Sequence, residues 1–123
     1  MPNVTFFEIG ADDVEAAVSF YANVFDWKIE KSEDGSEYWY ITTSDDEENP
    51  GIAGGLSGRQ DEWNATVNTI EVESIDECAR KIAKSGGKVL APKIAIPGVG
   101  DVQYCHDPEG NCFGIMEYYK SDE

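Results

Sequence analysis

Apolar and polar positions alternate with a period near two over residues 4–9, which predicts a strand. From Val14 the period changes to that of a helix. Val14, Ala17, Val18 and Tyr21 form one stripe, and Phe20, Val24 and Phe25 are expected to widen it as far as Phe25. Asp12 or Asp13 stands where a carboxylate would accept the first free helical N–H groups. Strands are predicted next at about 27–31, 38–43 and 52–57, with Glu33-Asp34-Gly35-Ser36 turning between the first two.

The pattern then starts again. Val67-Asn68-Thr69-Ile70-Glu71-Val72 lies 61 residues after Phe6-Phe7-Glu8-Ile9-Gly10-Ala11 and predicts a strand over 65–72. Ser74-Ile75-Asp76-Glu77 has the spacing of a capping box, with Glu77 expected to reach back over the first turn. Ile75, Cys78, Ala79 and Ile82 supply the next apolar stripe, ended by Gly86-Gly87. Strands near 88–94, 101–106 and 112–118 complete the second set, the last two joined by Asp107-Pro108-Glu109-Gly110-Asn111. The prediction is an α+β fold of two βαβββ modules, about 1–58 and 65–123, with a connector at 59–64. A repeat of this length implies that neither module closes a core alone, and a ligand is expected at the seam.

Charge narrows the partners. The chain carries 25 acids and 9 bases, a net charge of −16. There are 14 acids against 3 bases through Asp61 (−11) and 11 against 6 beyond it (−5), so the excess is spread along the chain. Such a field disfavours nucleic acid, whose binding rests on phosphate neutralisation by Lys and Arg. It counts against phosphorylated ligands and favours cations. No run approaches the roughly 20 apolar residues of a membrane span, and no secretion signal is visible, so a cytoplasmic, reduced setting is expected. Three cysteines, Cys78, Cys105 and Cys112, are too few for a disulfide framework, although Cys105 and Cys112 flank one turn.

The double βαβββ order resembles the vicinal oxygen chelate superfamily, which includes glyoxalase I, bleomycin-resistance proteins and extradiol dioxygenases. Phe20-Tyr21-x-x-Val24-Phe25-x-Trp27 and Asp107-Pro108-x-Gly110-Asn111 carry the resemblance, which covers essentially the whole chain. It implies a curved mixed sheet of two half-barrels around a cleft, and a homodimer. It also implies one divalent metal held by four His or Glu side chains. Here those four places are Phe6, Val67, Gly114 and the Gly55-Leu56-Ser57 stretch, none of which offers a metal donor. The expectation is therefore no metal and no cofactor.

Period two leaves Phe6 and Glu8 on the cleft side of the first strand, and Val67, Thr69 and Glu71 on that of its counterpart. Cys112, Gly114 and Met116 share the corresponding side of the last strand. Tyr104 and His106, the only histidine, complete the candidate ligand-binding set. Glu8 is the candidate catalytic residue, as a general base, or else the partner of a cationic ligand. Tyr38, Trp39, Tyr40 and Trp63 could stack on a flat or cationic molecule, with at most one of each adjacent pair reaching the cleft. Ile96 to Gly100 has lid chemistry. The leading expectation is binding or sequestration of a small organic molecule, cationic or aromatic. The alternatives are a metal-independent or atypically metal-assisted lyase or isomerase using Glu8, and a partner-binding protein with a filled cleft.

Overall fold

The computed structural model describes residues 1–59 and 66–120. The connector at 59–64 falls almost wholly outside the described residues, and Trp63 lies outside them. Eleven elements are described: β1 (Asn3–Ala11), α1 (Val14–Phe25), β2 (Lys28–Lys31), β3 (Tyr38–Thr42), β4 (Ala53–Gly58), β5 (Val67–Glu71), α2 (Ile75–Lys84), β6 (Lys88–Val89), β7 (Ile94–Ile96), β8 (Gly100–His106) and β9 (Cys112–Tyr118). They fall into two compact units, Phe6–Val67 and Met1–Thr5 with Asn68–Glu123.

In the unit Phe6–Val67, β4 pairs parallel with β1 and antiparallel with β3, and β3 pairs antiparallel with β2. Asp13 begins α1, its Oδ1 accepting the Ala16 N–H at 3.1 Å. Asp26 ends it in the left-handed region, φ 58°. Val14, Ala17, Val18 and Tyr21 pack with Phe7, Ile9 and Trp39 around buried Ala11, Ile41 and Leu56. Phe20 and Val24 do not join them; both are more than half exposed. At 100° per residue they fall at the edge of that stripe, on the Ala17 side, and not at its centre. Phe25 is also half exposed, near the helix end, with its ring 5.2 Å from Trp27.

In the other unit, β9 pairs parallel with β5 and antiparallel with β8, whose opposite edge receives β6 and β7. The strand expected over 88–94 is thus two short strands. Pro92 has no N–H for a ladder, and the Gln103 Nε2 donates instead to the Ala91 carbonyl at 2.9 Å. Ser74 caps α2 by accepting the Glu77 N–H at 3.2 Å. The Ile75 N–H, however, is taken by Glu117 from β9 at 2.9 Å, so a neighbouring strand helps close the helix start. Ile75, Cys78 and Ile82 pack on Cys105, Phe113 and Ile115. Cys105 faces this core opposite Phe113, whereas Cys112 pairs with His106 on the other face, so the two thiols flanking the turn point apart.

Candidate functional site

Strand register places Glu8 and Tyr40 on either side of Gly55, Tyr38 beside Ser57, and Phe6 beside Ala53. These residues share the sheet face turned away from α1, because their neighbours Phe7, Ile9, Trp39 and Leu56 pack on the helix side. Tyr38 and Tyr40 therefore lie together, and Trp39 does not join them. The Tyr38 hydroxyl donates to Glu8 Oε2 at 3.4 Å. Its ring meets that of Tyr40 edge to face, with centroids 5.1 Å apart. Burial, reinforced by the Glu8 carboxylate and then by Tyr40, raises the Tyr38 hydroxyl above the ordinary phenol range, so it remains a donor at neutral pH.

Gly55 makes this arrangement possible. A Cβ there would collide with the Tyr38 phenol, so the ring lies across the strand only because no side chain stands in its way. Gly55 and Tyr38 are each visible in the sequence, but their partnership is not, because it depends on strand register. The signal was a glycine between a carboxylate and a Tyr-x-Tyr strand on the same face.

The remaining candidates divide between the units. Val67 ends the unit Phe6–Val67 and is 2% exposed. In the other unit, Thr69 and Tyr104 flank Gly114, Glu71 and Val102 flank Met116, and His106 lies between Cys112 and Lys88. This face also turns away from its helix. It is closed: Thr69, Val102 and Met116 are all buried. Glu71 is exposed. Asp107 serves the adjoining turn, accepting from the Glu109 and Asn111 N–H groups and from Asn111 Nδ2, each at 2.9 Å. These bonds, those to Asn111 foremost, hold its carboxyl below the usual range. The Ile96–Gly100 segment is pinned, with Val99 N–H bonded to Ile96 and the Val99 carbonyl to Tyr119 N–H at 2.9 Å.

The fold implies a divalent metal, and the residues present do not fit one. Phe6, Val67 and Gly114 offer no donor, and the room left by the missing side chain at Gly55 is taken by the Tyr38 ring. Among the described residues, no three His, Cys, Asp or Glu side chains gather to hold an ion.

Residues 3–115 match the model of the glyoxalase/bleomycin resistance protein/dioxygenase superfamily. A glyoxylase-like domain-containing protein of Didymella fabae is 28% identical over 114 residues, covering 88% of each chain. Among solved structures, a superfamily member from Vibrio splendidus aligns with a TM-score of 0.69 at 15% identity, covering 97% of this chain and all of that one. A methylmalonyl-CoA epimerase of Streptomyces coelicolor, solved with 2-nitronate-propionyl-CoA, aligns with a TM-score of 0.68 at 16% identity, covering 98% and 97%. At those identities the structures speak for the fold alone. With the family match spanning nearly the whole chain, this protein belongs to the glyoxalase/bleomycin resistance protein/dioxygenase superfamily.

Proposed function

We propose that this protein binds and sequesters a small organic molecule without a divalent metal, on the open sheet face built from Phe6, Glu8, Tyr38 and Tyr40. The observation carrying this reading is the Tyr38 phenol, which lies where a side chain from Gly55 would have to reach. A hydroxyl–carboxylate pair and an exposed aromatic ring are suitable recognition groups for an organic ligand. On the same reading the protein acts as a cytoplasmic homodimer. The apolar side chains of Phe20 and Val24, left exposed on α1, support the dimer.

A thermal-shift screen with and without chelator tests the proposal. A ligand at a hundred times its dissociation constant adds about 2.7 kcal/mol, and the shift should persist in chelator. Stabilisation that appears only with a divalent metal would overturn it.

The 3.4 Å contact between Tyr38 and Glu8 favours a second reading, a metal-independent isomerase or lyase. Glu8 would take a proton from carbon, and Tyr38 would donate to the oxygen on which charge develops. The structural neighbour named an epimerase belongs to that class of chemistry. A net charge of −16 argues against a polyanionic thioester as substrate here. Glu8→Gln should then fold normally and lose turnover, whereas in a sequestering protein no compound that binds is transformed by the parent chain.

A further inference from the structure

We infer that two copies of this chain meet through the exposed face of α1, helix crossing helix at a two-fold axis near Phe20. This rests on the homodimer reading and names its contact. The two helices of the repeat turn unlike faces to solvent. The exposed residues of α2 include Asp76, Glu77, Arg80, Lys81 and Lys84, as a solvated helix requires. The exposed residues of α1 between Glu15 and Asp26 are Ala16, Ser19, Phe20, Asn23, Val24 and Phe25, and none carries a charge. Phe20, Val24 and Phe25 are each more than half exposed. In a chain with 28% charged residues, an uncharged and largely apolar helix face open to solvent has the composition of an interface core.

Shape and charge both point to a second copy. Ala16, Phe20 and Val24 follow at intervals of four and form one ridge of the kind that interdigitates when helices pack. About a two-fold axis at Phe20, Ala16 faces the partner's Val24, a small side chain against a larger one, so the ridge fits itself. The rings are already held in place. Phe20 meets Tyr21 edge to face with centroids 5.2 Å apart, and Tyr21 stacks on Trp27 at 5.5 Å. Little ordering is left for association to impose on them. A chain of net charge −16 tolerates its own copy only across a contact free of charge. A basic partner would be matched by acids within the face. The acids, Asp12, Asp13, Glu15 and Asp26, stand instead at the two ends of the helix. One helix face is small beside the roughly 800 Å² per partner of a standard interface, so the dimer should be weak and concentration-dependent.

The test is sedimentation equilibrium of the full chain from about 1 μM to about 1 mM, at ionic strength near 0.15 M. The mass should rise from 13.6 kDa toward twice that value. Phe20→Asp sets two carboxylates face to face at the axis and should weaken association by about a hundredfold or more. Ile94→Asp adds the same charge at an apolar side chain of similar exposure on β7, and should leave association within about twofold of the parent. Circular dichroism should show both variants folded. On mild oxidation Phe20→Cys should form a disulfide between position 20 of the two copies, mapped by peptide mass. Glu15→Cys, about 140° around the helix, should not. A dimer that survives Phe20→Asp, or that cross-links at position 15 and not at 20, overturns the inference and leaves the homodimer reading standing on another surface. A parent chain still monomeric at about 1 mM overturns both, and leaves the face to a different protein or to none.

Discussion

Two stretches of sheet in this molecule share one plan and differ in what they do with it. In one unit a carboxylate (Glu8), a glycine (Gly55) and a tyrosine (Tyr38) come together on β1, β4 and β3. In the other, Thr69, Gly114 and Tyr104 come together on β5, β9 and β8, with Tyr104 in register with Gly114 as Tyr40 is with Gly55. In both a tyrosine ring lies against the glycine, but only at Gly55 does it occupy the space a side chain would need. Glu8 is half-buried and stands near an exposed Tyr40, whereas Thr69 is 2% exposed beside buried Met116 and Val102. Repetition supplied the same frame twice. One residue type differs, Glu for Thr 61 positions later: a half-buried carboxylate stands on one face and a buried hydroxyl on the other.

Exchanging those two residues should break the comparison most severely. Thr69→Glu places a carboxylate at a position only 2% exposed, and should cost roughly 3–5 kcal/mol in urea unfolding. Glu8→Thr removes one long hydrogen bond from a half-buried site and should cost about 1 kcal/mol. Similar losses for both would mean that the two faces are equally closed.

The glycines give the next largest effect. Gly55→Ala drives a methyl group into the Tyr38 phenol and should cost about 1–3 kcal/mol. At Gly114 the corresponding contacts, to Thr69 Oγ1 and Tyr104 Cε1, are 3.2 Å, so Gly114→Ala should cost less than half as much. In a Tyr38→Ser background the Gly55 penalty should nearly vanish, because the obstructing ring is gone. A penalty that persists would show that Tyr38 is not what occupies the place.

Much of this was legible in the sequence, and the limits have physical causes. The helices were readable because apolar stripes and caps act within a few residues, as Asp13 and Ser74 show. The lack of metal donors was readable because residue identity alone decides it. The Glu117 bond to the start of α2 was not, because it joins residues 42 positions apart. Nor was the division of β6 from β7, although Pro92 marked the break. The Tyr38–Glu8 pair needed the register of three strands, and period two supplies only the face of each strand, not which residues meet across it.

The smallest effect contrasts the turns that flank these faces. Asp34, between β2 and β3, accepts from the Ser36 N–H at 2.9 Å and the Ser32 hydroxyl at 2.8 Å. The bonds to Ser36, then that from Ser32, lower its carboxyl from 3.8 to about 2. Asp107, between β8 and β9, is lowered chiefly by Asn111. A depressed carboxylate favours the folded chain at pH above its unfolded value, and that contribution is lost as pH falls through the folded value. For Asp34 the loss should run from about pH 4 down to about pH 2. Carboxyl-carbon NMR titration should find Asp34 still ionised at pH 3, when ordinary surface carboxylates are largely protonated. Ser32→Ala should raise the Asp34 midpoint and leave that of Asp107 unchanged, while Asn111→Ala should do the reverse. Both turns are exposed, so either variant should move the acid limb of stability only slightly. A common shift of both midpoints in either variant would mean that the general acidity of the chain, not these local bonds, sets the two carboxyls.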